Sequence, residues 1–287
     1  MIKKKLSRRS LGLIVLRGFV ANLEPAGKRA GFGRGALDLL LLPRVPIANG
    51  TRRLPQNKKH DEHDYEFDCS FIKEDDITEE WMLLLHRLLW DAYRDNEEII
   101  LLCLSSLTDI AKFCTRYPIL LRASLEKGKV VLQGGYSVVD GNLKVKKGAN
   151  NEFDPTAATK FHEFLKDNKI SSMAFENAAI NLKHPLPRKM FTDLANTGEI
   201  GQYLNNVAER QESKFFFAAS LMGDKAMDRL KIIVTPRSEW PETIHQVVGN
   251  GSENSLNGTG DGVSTTLEAL IRGSLLAVSQ GLSSDPV

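Results

Sequence analysis

EIILLCLSSLTDIAKFCTRYPILLRASLEKGKVVLQGGY, residues 98–136, contains two apolar runs with an amphipathic stretch between them. EIILLCL (98–104) is a continuous apolar run, the pattern of a strand buried on both faces. LTDIAKFCTRYPILLRASL (107–125) carries helical periodicity. KVVLQGGY (129–136) is a second buried strand, broken by Gly134–Gly135. Strand, helix and strand in this order predict a parallel sheet.

The alternation continues downstream. DPTAATKFHEFLKDN (154–168) reads as a helix, with Asp154 as its cap and Pro155 at its first position. ISSMAFENAAI (170–180) returns to strand and loop. Upstream, TEEWMLLLHRLLWDAYRD (78–95) is an amphipathic helix for which Thr78 is the expected cap. LGLIVLRGFVA (11–21) and VPIANGT (45–51) read as strands, with a helix from Pro25 between them. Gly31, Gly33 and Gly35 in that helix lack dinucleotide-loop spacing after a strand, so helix packing is the better reading. The fold class is therefore α/β, doubly wound around a mostly parallel sheet with helices on both faces. Ligands bind such sheets at the carboxyl ends of the strands. That rule puts Asn22, Ser105–Ser106, Gly134–Gly135 and the segment after Phe175 on one rim, beside Asn150–Asn151 and Glu152.

With 287 residues, the chain can bury a sizeable core. Three cysteines without CxxC spacing argue against a disulfide framework or a cysteine-built zinc site, and fit a reducing compartment. No apolar stretch reaches the roughly 18–20 residues of a membrane span. Residues 1–59 hold 14 Lys/Arg against two acids, which leaves 24 basic and 34 acidic residues in the remainder. Such a basic start reads as a tail entering a strand or as an organelle-targeting segment. Nucleic-acid binding is disfavoured, since no aromatics are interleaved to stack on bases. The expected organisation is a basic tail (1–13), an α/β domain (14–248), a Gly/Asn/Ser-rich flexible loop (249–266), and a C-terminal helix and tail (267–287). Cytoplasmic residence is expected, with organelle targeting as the alternative. HDEHD (60–64) reads as a solvated loop rather than a metal site, and His184 before Pro185 is a weaker pocket candidate.

VLQGGY…GNLKVKKGANNEFDPTAATKF (131–161) resembles the middle of the inosine–uridine-preferring nucleoside hydrolases: a buried strand, a Gly–Gly turn, an Asn-containing loop and an Asn-rich start to a helix opening with Asp–Pro. The similarity extends to GFVANLEPAGKRAGFGRGALDLL, to LSSLTDIAKF, which is similar to the family's Gly–Pro–Leu–Thr–Asn–Ile–Ala, and to HPLPRKMFTDLANTGEIGQYL. Together these span about residues 14–206.

The resemblance implies hydrolysis of the N-glycosidic bond of ribonucleosides to ribose and base, with a Ca²⁺ ion holding the ribose diol and the attacking water. It implies a small nucleoside as ligand and is compatible with a homo-oligomer. Carried over residue by residue, Asn22, Asn142 and Asn150 match family asparagines near the ribose, and Asn151 adjoins them. The family's Glu falls on Gly148, which leaves Glu152 as a weak catalytic candidate. Leu132 matches a main-chain carbonyl that helps hold the ion. The family's opening Asp–x–Asp–x–x–x–Asp–Asp has no match, because the first aspartate of these 287 residues is Asp38. After Asn206 the aspartates are Asp224, Asp228, Asp261 and Asp285, and none follows a histidine. Asp261 is a weak metal candidate. A catalytically inactive relative that serves binding or interaction is therefore the alternative function.

Overall fold

The computed structural model describes residues 15–51, 67–77, 79–133, 135–175, 188–211, 244–248, 272 and 275–276. Thr78, His60–Asp64, Gly134, His184 and Asp261, together with the expected loop at 249–266, lie outside the described residues.

The strands are β1 (Phe19–Ala21), β2 (Ile47–Asn49), β3 (Ile100–Cys103), β4 (Lys129–Gln133), β5 (Tyr136–Val139), β6 (Asn142–Val145), β7 (Ser172–Phe175) and β8 (His245–Val248). The helices are α1 (Ala26–Leu39), α2 (Trp81–Arg94), α3 (Thr108–Arg116), α4 (Pro118–Ser124), α5 (Ala149–Phe153), α6 (Pro155–Asp167), α7 (Arg188–Leu194) and α8 (Glu199–Gln211). β3, β4, β7 and β8 form a four-stranded sheet in that order, parallel throughout. β1 and β2 form a separate parallel pair, and β5–β6 is an antiparallel hairpin. The parallel α/β expectation holds, although the ladder is divided.

β4 is central and buried, as its apolar run demands. β3 corrects the expectation of burial on both faces. Among the described strands it lies at the edge of its sheet, and Leu102 and Leu104 are each 43% exposed. An apolar run reports hydrophobicity but not which neighbours arrive to cover it.

One helix was expected over 107–125, but there are two. Pro118 offers no N–H and disfavours helical geometry at Tyr117, whose φ is −134° and ψ is 54°. α2 begins where its cap allows: the Glu80 carboxylate accepts the Leu83 amide at 2.8 Å, so Glu80 and not Thr78 is the N-cap. The glycines of α1 serve close packing, as expected. A Cβ at Gly35 would overlap the Phe71 carbonyl, and one at Gly31 would meet Glu74 at 2.7 Å.

The main core joins Leu89 of α2, Phe113 of α3, Leu121 of α4, Val130 and Leu132 of β4, Tyr136 of β5, Phe161 and Leu165 of α6 and Ala174 of β7. Leu275, in the expected C-terminal helix, packs on Met190 and Leu194 of α7. Among the described residues no helix is long and apolar enough to cross a membrane. All three cysteines are free, and burial pushes the Cys103 thiol up to about 12.

Candidate functional site

The carboxyl ends of β1, β2, β3 and β4 meet along one rim, and polar side chains stitch them together. Asn22, just after β1, donates its amide to the Ser106 carbonyl at 3.0 Å, joining β1 to the turn after β3. Beyond β2, the Thr51 amide donates to Asp109 Oδ1 at 2.9 Å, and the Thr51 hydroxyl bonds to the same oxygen. Lys112 donates to that hydroxyl at 2.9 Å. A Cβ at Gly50 would collide with Asp109 Oδ2, so glycine is what lets this carboxylate approach the end of β2.

From Ser106 the chain of bonds continues to the other half of the rim. Ser106 Oγ lies 2.8 Å from Thr108 Oγ1, which donates to Asp154 Oδ2 at 2.8 Å. Asp154 Oδ1 accepts the Ala157 amide at 3.0 Å, so the expected cap of α6 is present and also receives a second helix's hydroxyl.

Asn150 and Asn151 lie in α5, a single short helix before that cap. Asn150 donates to the Gln133 carbonyl at the end of β4, at 3.2 Å. Asn151 is buried and donates to the carbonyls of Gly135 and Lys146, both at 2.8 Å, which closes the β5–β6 hairpin onto α5.

The expected site residues therefore divide. Asn22, Asn150 and Asn151 share the rim with Ser105 and Ser106. Asn142 stands apart: it is exposed on β6, and its amide closes the hairpin turn by donating to the Asp140 carbonyl at 3.1 Å. Glu152 points outward from α5 and is exposed. Leu132 sits in the middle strand, opposite Cys103 on one side and Ala174 on the other. Asn49, Thr51, Asp109 and Asp154 complete the rim, and sequence reading had not assigned the first three a site role. Their signal was available, since each lies within four residues of a strand's carboxyl end or of a helix start. The hairpin was also legible in Asp140–Gly141, whose φ values of 52° and 73° suit the tight turn that an Asp–Gly pair favours.

Three buried oxygens on this rim, Asn49 Oδ1, Ser105 Oγ and Asp109 Oδ2, have no hydrogen-bond partner among the described residues. Ca²⁺ takes six to eight oxygens, generally with several carboxylates. The rim's described carboxylates are Asp109 and Asp154, and both already hold backbone amides. Among the described residues no three His, Cys, Asp or Glu side chains come together. This donor set does not fit the ion.

No protein-family model matches the sequence, and no curated protein matches it. Solved structures do match the fold. A type III effector protein, XopQ, complexed with adenosine diphosphate ribose, superposes with a TM-score of 0.68 at 14% identity, over 96% of this chain and 88% of that one. A purine-preferring ribonucleoside hydrolase from Gardnerella vaginalis gives 0.58 at 16% identity, over 99% and 96%. A plant nucleoside hydrolase, PpNRh1, gives 0.56 at 14% identity, over 94% and 96%. The chain thus has a nucleoside-hydrolase-like α/β fold.

Proposed function

We propose that this protein uses its carboxyl rim to bind a ribosyl ligand, a nucleoside or a ribosylated nucleotide such as ADP-ribose, without cleaving the N-glycosidic bond. The observation that carries this reading is the set of buried oxygens without partners among the described residues: Asn49 Oδ1, Ser105 Oγ and Asp109 Oδ2. A buried acceptor without a donor costs about 1–3 kcal/mol. The hydroxyls of a ribose are donors of the right kind, and Asn22 and Asn150 flank the same strand ends. The ligand class is supported by the resemblance over residues 14–206 and by the fold neighbours, one solved with ADP-ribose and two described as nucleoside hydrolases.

Cleavage would further need a carboxylate to take a proton from water and a cation to orient it. Asp154 caps α6, Asp109 gives one oxygen to Thr51, and Glu152 is exposed. One observation favours a second reading, Ca²⁺-dependent hydrolysis of a ribonucleoside to ribose and base. Asp109 Oδ2 is a hard oxygen without a partner among the described residues. Preference for inosine or uridine belongs to that reading.

The test pairs calorimetric titration of inosine, uridine, adenosine and ADP-ribose with a ribose-release assay in excess Ca²⁺ and in chelator. Binding without release is the expected result. Chelator-sensitive release would overturn the non-catalytic reading in favour of hydrolysis. Neither binding nor release from a folded sample would overturn both.

A further inference from the structure

Behind the rim, between the β5–β6 hairpin, α6 and the β7–β8 edge, lies a buried polar network that the ligand reading does not use. Tyr136 of β5 and His162 of α6 are fully buried, and Ser172 and His245 open β7 and β8 in register with each other. The Tyr136 ring packs edge-on against both imidazoles, with centroids 5.7 Å from His162 and 6.1 Å from His245.

The hydrogen bonds fix the protons. The Tyr136 hydroxyl donates to the Gln246 carbonyl at 2.9 Å, because a carbonyl can only accept. Ser172 Oγ, 3.0 Å away, must then donate to Tyr136 Oη. His245 Nδ1, 2.8 Å from Ser172 Oγ, must in turn carry the proton it donates to that oxygen. His245 is therefore the Nδ1–H tautomer. At the other imidazole, Asn151 spends its amide hydrogens on two carbonyls, so its Oδ1 accepts from His162 Nε2 at 3.3 Å. His162 is the Nε2–H tautomer, and its bare Nδ1 is buried without a partner among the described residues.

We propose that Tyr136, His162 and His245 form an acid-sensitive latch holding the β5–β6 hairpin and α5, with Asn150 and Asn151, against the β7–β8 edge of the sheet. A proton arriving at His245 enters Nε2 and leaves the Nδ1–H bond to Ser172 intact. A proton arriving at His162 must enter Nδ1, where it creates a buried cation with no acceptor among the described residues and a second imidazole nearby. Turning His162 out to water relieves that cation. It also removes the donor that orients Asn151, and with it the ties to Gly135 and Lys146.

Among the described residues, no nearby charge offsets the cation. Tyr136 faces His162 from β5 and His245 faces it from β8. On α3, Asp109 and Lys112 are engaged with Thr51, and Arg116 lies over Tyr117. Lys144 of β6, Lys146 just after it, Glu152 of α5 and Lys160 and Glu163 of α6 are exposed. Lys129 is buried at the amino end of β4, and β7 contributes no ionisable group. Burial, with His245 adding to it, pulls His162 down to about 4.

Any effect of the latch on a ribosyl ligand rests on the binding reading above, so the test reads the hairpin and not ligand affinity. Nitrogen NMR of the full chain at neutral pH is expected to show His162 as Nε2–H and His245 as Nδ1–H. Amide hydrogen exchange, corrected for intrinsic rates, should then be compared at pH 7.5 and 5. Lowering of His162 from 6.5 to about 4 corresponds to roughly a thirtyfold gain in hairpin opening by pH 5. Residues 135–153 should show that gain, while α2 keeps its protection. His162→Gln keeps a donor towards Asn151 without a titrating group, and should hold protection within threefold across the same range. Protection that does not change with pH in the wild type, or a loss in His162→Gln as large as in the wild type, would overturn the latch. Should that variant fail to fold, the wild-type tautomers still decide: an Nδ1–H form of His162 overturns it.

Discussion

Thr108 and Asp154 are 46 residues apart in sequence and 2.8 Å apart in space, the hydroxyl of one helix start donating to the carboxylate that caps another. Asp154 thus does two structural tasks at once, because its other oxygen receives the Ala157 amide. Asp154→Ala should remove a cap worth about 1 kcal/mol and the buried bond from Thr108, whose hydroxyl keeps only Ser106 Oγ, at a further 1–3 kcal/mol. A loss of about 2–4 kcal/mol in urea unfolding is expected, with Asp154→Asn losing clearly less. Equal losses for the two variants would mean that the charge, not the hydrogen-bond geometry, matters.

Gly50 is where the end of β2 admits Asp109. Gly50→Ala would drive its methyl into Asp109 Oδ2, with Asn22 Cβ and Val20 Cγ1 each at 3.0 Å. Overpacking of this kind costs about 1–3 kcal/mol. Gly141→Ala is the comparison, since its Cβ meets nothing and only the φ of 73° is strained. The first variant should lower the melting temperature more than the second. The reverse order would contradict the placement of Asp109.

Acid should weaken the fold in two stages. His162 is held below its ordinary 6.5, at about 4, chiefly by burial. The unfolded chain therefore takes its proton first, and up to about 3 kcal/mol is lost as pH falls from 6.5 to 4. At Asp38 burial works against ionisation, but hydrogen bonds from Lys73 and Arg34 prevail and hold the carboxyl below its ordinary 3.8. Its contribution is intact above 3.8 and disappears only below that. Urea midpoints at pH 7, 5 and 3.5 test the order, and a flat response between 7 and 5 would contradict the buried neutral His162.

Arg34 is nearly buried inside α1 and donates to the carbonyls of Val45 at 2.7 Å and Leu42 at 3.1 Å as well as to Asp38. Arg34→Met replaces the stem but strands both carbonyls and uncovers Asp38. A loss of about 3 kcal/mol is expected in the same unfolding measurement. Arg34→Lys should recover only part of it, because one ammonium cannot reproduce the planar fork.

Asn150 is the rim amide whose loss should separate binding from folding. Its bond to Gln133 is a long 3.2 Å, so Asn150→Ala should change the melting temperature little. If the rim takes a ribosyl ligand, the same variant should weaken ADP-ribose or nucleoside affinity by about tenfold, the equivalent of 1.4 kcal/mol. Unchanged affinity would remove Asn150 from the site.

Much of this architecture is local in origin, and local patterns are what a sequence displays. The apolar run at 129–133, the Asp154–Pro155 entrance to α6 and the periodic face of α2 each specify an element through nearest neighbours along the chain. The shared rim was also legible, because a parallel sheet puts every strand's carboxyl end on one side. Long-range partnership was not. The exposed edge of β3 depends on which strand lies beside it, and the Thr108–Asp154 and Asn22–Ser106 bonds depend on segments distant in sequence. Asn150 and Asn151 read alike as rim amides, yet folding buries Asn151 against His162 and leaves Asn150 at the strand end. Residue type and spacing determine what an amide can bond to; the packing of α6 and β5 around it determines which of those bonds it makes.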